Sequence, residues 1–342
     1  MIDRARFLAA SVAAAGAAAI PRRSEAAERI NVAIGPGHSM IYVPWDLAAA
    51  LGYFTREGLA PEFQYLRGGS EAATALTSGA ADFAGCGVDH AILAQLRGKD
   101  IPLIAQFMSV PAAGIMIRAA DKGKITSFAA LRGKPVGVTS LGAGSHVIAL
   151  WLAKVNGIPR DGFTVLAVGG DTAAGAALES GRIDALVAYD PLASQLVALG
   201  KAAFLYDLYQ PEVAHRAMQL PVYAFSGALT RGDMVAKRPE TCQKVANALV
   251  RALRFMQTRP AADAARALSD EQRGGLSASD WQHTYEHAHA AFTRDGEIRL
   301  DGVRATAETN LYLADRVGAP LDYTRLVDTR FQIAAARAIR SV

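Results

Sequence analysis

ALTSGAADFAGCGVD (residues 75–89) and ALESGRIDALVAYD (residues 177–190) state one pattern twice. Both open A-L-x-S-G-x-x-D, continue as a short apolar run and reach a second Asp. Physically each copy is a helix end, a glycine stop, a buried strand and a loop. Gly79 and Gly181 fall where a helix terminus needs a residue tolerant of positive φ. The runs after Asp82 and Asp184 are too short for helices and suit parallel strands buried on both faces. Two such units about a hundred residues apart predict two similar α/β lobes. Ligands of open α/β sheets bind beyond the carboxyl ends of the strands. Asp89, His90, Tyr189 and Asp190 are therefore candidate contacts.

Outward from the first copy, the spacing predicts strands at 30–34, 61–66, 82–86 and 101–107. Helices over 40–51, 70–79 and 90–97 alternate with them, and Ser70 is placed to cap the middle one. The second copy extends to strands at 135–139, 163–168, 184–188 and 202–206, with helices over 126–131, 144–156, 171–180 and 191–199. This alternation predicts parallel sheets with helices on both faces. After PVYAFSGAL (221–229) the chain reads as helices over 232–258, 260–268, 277–292, 300–316 and 323–339. Such a tail has no sheet of its own and is expected to pack on the first lobe. Crossings near 115–120 and 221–226 make a double hinge. The expected division is residues 28–117 plus 225–342 for the first lobe and 118–224 for the second.

At 342 residues, 51% hydrophobic and 20% charged, the chain is globular and too long for one ordinary core. Its beginning reads differently. Arg4 and Arg6 precede an apolar run, Phe7–Ile20, then Pro21 and the small-residue site Ser24-Glu25-Ala26. That is the layout of a secretory signal over residues 1–26, and the run is short for a membrane span. Arg4 and Arg6 are not adjacent, so the route (general secretory or twin-arginine) stays open. With no Cys near the cleavage site, an exported, periplasmic protein without a lipid anchor is expected. The segment carries four Arg, one Asp and one Glu, so its removal lowers the net charge from +4 to +2. The charge gives no argument for nucleic acid. Cys86 and Cys242 are expected to be separate buried thiols.

Several stretches together carry a resemblance: PWDLAAALGYFTREGL (44–59), ALTSGAADF (75–83), SFAALRGKPVGV (127–138), the Gly-Ser helix start within 142–145, and ALESGRIDA (177–185). In order and spacing they resemble the sulfonate-, nitrate- and taurine-binding proteins, relatives of the thiamine-pyrimidine synthase fold. The likeness covers about residues 30–230. It agrees with the two-lobed reading and implies a type II-like periplasmic binding protein fold. It further implies a monomeric solute receptor that delivers a small sulfonate-, taurine- or nitrate-like solute to an ABC permease and its ATPase, with no cofactor and no chemistry of its own. The alternative within the same fold is a receptor for a thiamine-pyrimidine precursor, another heterocycle or an aromatic acid.

The candidate contacts follow strand ends. Ser140–His146 opens an apolar helix after strand 135–139. There Gly142 and Gly144 admit close backbone approach, Ser145 offers a hydroxyl, and His146 follows. Val147 stands at the third glycine position of a dinucleotide fingerprint, so that reading fails. His38 and Ser39 lie in the equivalent turn, GPGHSMI (35–41). Gly69 and Ser70 follow strand 61–66 with Arg67, and Asp171 follows strand 163–168 through Gly169-Gly170. Asp89 and Asp190 are also natural caps for the helices they precede. Two acids in one cleft oppose a simple anion and hint at a zwitterion or heterocycle. His283, His287 and His289 share helical spacing, but no HExxH pattern or Cys cluster accompanies them, and no metal site is expected. No G-x-S-x-G elbow, P-loop or paired-Cys zinc pattern is present. The cysteine-rich iron motif of the pyrimidine synthase is absent, so an enzyme of that type is the remote reading.

Overall fold

The computed structural model describes residues 27–339. The expected export segment, 1–26, lies outside them. Among the described residues ten strands form two five-stranded sheets. The first contains β1 (Glu28–Ile34), β2 (Leu59–Tyr65), β3 (Phe83–Gly87), β4 (Leu103–Met108) and β10 (Ser226–Thr230). The second contains β5 (Gly114–Arg118), β6 (Pro135–Val138), β7 (Thr164–Ala167), β8 (Ala185–Ala188) and β9 (Ala202–Asp207). Their orders, β2-β1-β3-β10-β4 and β7-β6-β8-β5-β9, are the same order twice. The repeated sequence supplies the equivalent strands β3 and β8, each beside the lobe's opening parallel strand. β8 is buried throughout and β3 in all but its last residue, Gly87, as their unbroken apolar runs require.

Neither sheet is purely parallel. β10 runs antiparallel to β3 and β4, and β5 runs antiparallel to β8 and β9. Each of these strands enters its sheet straight from the other lobe with no crossover helix, so it arrives in the opposite direction. The first crossing spans 109–113 and not 115–120, because Gly114–Arg118 already pairs in the second sheet. The return runs through 219–225, after an unanticipated helix, Pro211–Met218. The Tyr223 amide donates to the Ser109 carbonyl at 3.2 Å, so the two crossings brace one another.

The expected long helix over 232–258 divides at Arg238, where Pro239 begins a new helix, Pro239–Thr258. It buries Leu249, Leu253 and Met256 and packs on Val43–Ala50, β4 and Thr329–Ala338. The tail thus covers the first lobe, with one departure. Leu300–Leu313 lies between Asp89–Gln95 of the first lobe and Gly144–Val155 of the second. Its Thr306 hydroxyl donates to the Ala224 carbonyl, and Tyr223 bonds Thr309 at 2.9 Å, so this helix backs the return crossing. Cys86 and Cys242 are unpaired and buried, as expected. No described helix is long and apolar enough to cross a membrane.

Candidate functional site

The carboxyl ends of β1, β3, β6 and β8 face one another across the lobes. The Ser39 hydroxyl and the Met40 amide, just past β1, reach the Asp190 carbonyl past β8 at 3.5 and 3.4 Å. The lobes therefore meet at these ends. Glycines permit the approach on the first-lobe side. A Cβ on Gly35 would lie 2.3 Å from the Gly68 carbonyl oxygen, and one on Gly69 would lie 2.6 Å from His90 Nε2. Gly35→Ala is accordingly expected to cost about 1–3 kcal/mol, because backbone must yield. A denaturation midpoint unchanged from wild type would refute that packing.

Asp89 stands at the centre. It is 8% exposed, and its Oδ2 has no hydrogen-bond partner among the described residues. It opens the helix Asp89–Gln95 at the first helical position, with Val88 as the cap, so the capping role expected of it is not observed. Its negative charge is felt by Tyr42, Tyr189 and Tyr223, whose phenols are raised first by burial and then by neighbours that include Asp89. Tyr189 belongs to the second lobe and packs at 6.0 Å from Phe225 on the return crossing. A Cβ on Gly144 would lie 3.2 Å from the Tyr189 hydroxyl, which brings the helix Gly144–Val155 to the same place.

Other expected residues are used locally. Ser145 is fully buried and its hydroxyl is taken by the Thr139 amide (3.0 Å) and hydroxyl (2.8 Å). His146 Nδ1 accepts from the Gly142 amide at 2.9 Å, closing the loop on itself, and burial lowers its pKa. Asp171 is exposed and caps Thr172–Glu179 by accepting from Ala173. Ser70 is exposed and lies inside Gly69–Ser78, whose cap is Gly68; extended backbone at Gly68 starts the helix two residues early. Arg67 is exposed and pairs with Glu71. His38 is stacked on Tyr65, ring centres 4.7 Å apart, and its Nδ1 is enclosed without a partner. Asp82 and Asp184 tie the starts of β3 and β8 to a neighbouring strand, through the Asn31 amide of β1 and Arg118 at the end of β5 respectively.

Asp190 is 1% exposed and carries the second use of its carboxyl group. Oδ1 accepts from the Ser194 amide, and Oδ2 meets His287 Nδ1 at 2.7 Å. The other ring nitrogen, Nε2, meets Asp207 Oδ2 at 3.0 Å, and the ring stacks on Phe204. Burial disfavours the imidazolium, but the two carboxylates outweigh it and raise its pKa to about 10. His287 sits on Ala278–Ala288, which packs on the first lobe, so it fastens the second lobe to the C-terminal helices. Sequence reading missed this role, since its partners lie 97 and 80 residues away. His283 is exposed and His289 bonds the Met256 carbonyl, so the three histidines diverge. No group of three or more metal-capable His, Cys, Asp or Glu side chains occurs among the described residues. Two surface hollows, of 430 and 540 Å³, lie elsewhere, at the opposite ends of β3 and β4 and beside β9.

Two repeated α/β lobes with paired strand ends define the two-lobed fold of the periplasmic binding proteins. A family model described as NMT1/THI5 like matches residues 36–263, and the chain belongs to that family. No curated protein matches the chain. Among solved structures it is similar to a protein from Bordetella bronchiseptica RB50, at 24% identity and TM-score 0.80, covering 92% of this chain and 98% of that one. It is similar to the alkanesulfonate-binding protein SsuA from Xanthomonas axonopodis pv. citri bound to MOPS, at 18% identity and TM-score 0.66, covering 92% and 98%. The periplasmic nitrate-binding protein NrtA from Synechocystis PCC 6803 is a third, at 14% identity and TM-score 0.73, covering 91% and 89%. The last helices, His287 among them, fall outside the family match.

Proposed function

We propose that the protein is the exported solute-binding receptor of an ABC importer. It closes two lobes over a small organic solute and presents the closed form to a membrane permease in the periplasm. The observation that carries this reading is the meeting of the lobes at their strand ends, Ser39 and Met40 against Asp190, around Asp89 and Tyr189. That is where open α/β sheets hold ligands. Two crossing segments braced on one helix suit a hinge between lobes. The similarity to an alkanesulfonate-binding and a nitrate-binding protein supports the class.

Thermal unfolding of the mature protein against sulfonates, taurine, nitrate, heterocycles and aromatic acids tests it. A solute present at a hundred times its Kd adds about 2.7 kcal/mol to the stability of the folded state. One or more of these solutes is expected to raise the melting temperature. If none does, the receptor reading fails.

A further inference from the structure

Resting on that reading, we infer that the solute presents an N–H group, neutral or cationic, to Asp89, and that simple anions are not the cognate class. The electrostatics of the cleft carry the inference. Asp89 is more than nine-tenths buried, and Oδ2 is enclosed without a hydrogen-bond partner among the described residues. It makes no ion pair there with Lys or Arg; His90 Nε2 stands 3.9 Å from Oδ2, beyond hydrogen-bond reach. Every other buried acid at the lobe junction has a donor. Asp190 has the Ser194 amide and His287, and the partly buried Asp207 has His287 as well.

The groups facing Asp89 sharpen the class. Tyr42, Tyr189 and Tyr223 feel its charge, and none of the three has an Arg or Lys among its perturbing neighbours. Tyr53, near Arg56 and Arg251, shows what such a neighbour does elsewhere in the same lobe. Phe225 joins Tyr189 and Tyr223 at ring separations of 6.0 and 6.4 Å. A buried carboxylate among aromatic rings, with no fixed cation, repels an added anion and is satisfied by an N–H donor. Aromatic faces add attraction for a cation. An aminosulfonate or an amino-substituted ring meets these demands. Nitrate and an alkanesulfonate without nitrogen do not.

Matched probes test this on the mature protein by titration calorimetry and thermal unfolding. Taurine, benzylamine and 4-aminopyridine carry the nitrogen; ethanesulfonate, benzenesulfonate and nitrate lack an N–H. Wild-type protein is expected to bind at least one nitrogen probe and to prefer taurine to ethanesulfonate. In Asp89→Asn, which keeps the shape and loses the charge, that binding should weaken about 10- to 100-fold. Asp89→Ser serves the same comparison if the first variant does not fold. Binding of the three anions that lack an N–H alone, or amine-probe affinity unchanged in the variants, overturns the inference while leaving the receptor reading intact. Absence of binding by all six overturns the inference, and the receptor reading then stands or falls on the wider thermal-unfolding panel.

Discussion

Replacing His287 by Ala is expected to lower stability at pH 7 by about 3–5 kcal/mol, the loss that follows removal of one member of a buried charge network. The imidazolium is shared by Asp190 at 2.7 Å and Asp207 at 3.0 Å, and its side chain is only 17% exposed. Without it, both carboxylates lose their common counter-charge. The pH dependence gives an independent signature. The folded pKa is about 10 against 6.5 for a free histidine. The network's contribution is therefore complete below pH 6.5, declines between 6.5 and 10, and is gone above 10. A shift of that size corresponds to about 5 kcal/mol, the upper end of the substitution estimate. Urea unfolding of wild type and His287→Ala from pH 6 to 10 should give curves that converge as the pH rises. Curves that stay parallel would show that His287 acts by packing alone.

The second large effect has the opposite sense. Asp46 is buried at 2% exposure in the helix Val43–Ala50, and accepts a hydrogen bond from the Tyr65 hydroxyl. Burial raises its pKa from 3.8 to about 7, and the Tyr65 bond only partly offsets this. Below pH 3.8 the folded and unfolded chains both hold the proton, and the group costs nothing electrostatically. As the pH rises to 7 the unfolded chain ionises freely and the folded one resists, so stability falls by about 4 kcal/mol and then levels. Asp46→Asn removes this dependence. Its amide still accepts from Tyr65 but buries an unsatisfied N–H₂, at a cost of about 1–3 kcal/mol. The variant should therefore be less stable than wild type at pH 4 and more stable, by about 1–3 kcal/mol, at pH 8. Unfolding curves that do not cross between these values would contradict the assignment. The consequence reaches the cleft, because Tyr65 also stacks on His38.

Much of the architecture was legible because its signals are local. Gly79 and Gly181 adopt positive φ where the repeated motif requires a stop. The runs after Asp82 and Asp184 became β3 and β8, the equivalent strands of the two sheets. The antiparallel strands were not legible, since β5 and β10 carry the same apolar composition as their neighbours and only the route of the chain sets their direction. The helix Pro211–Met218 buries only Ala214 and Met218, too sparse a stripe to announce itself between a strand and a crossing. At the strand ends, local sequence left two uses open for Asp89 and Asp190. The helix start after Asp89 came one residue early, which freed the carboxylate from capping. Asp190 found a histidine from the tail, which no local pattern foretells. The one prior hint was chemical: two acids, Asp190 and Asp207, end neighbouring segments of one lobe and require a cation from somewhere.

We propose that the segments following β1, β3, β6 and β8 form a single solute site shared by both lobes. Hydrogen–deuterium exchange, measured with and without a solute that raises the melting temperature, tests it most directly. Slowed exchange is expected together in residues 38–41, 87–90, 142–146 and 189–191. Protection confined to one lobe, or found only away from these four segments, would contradict it.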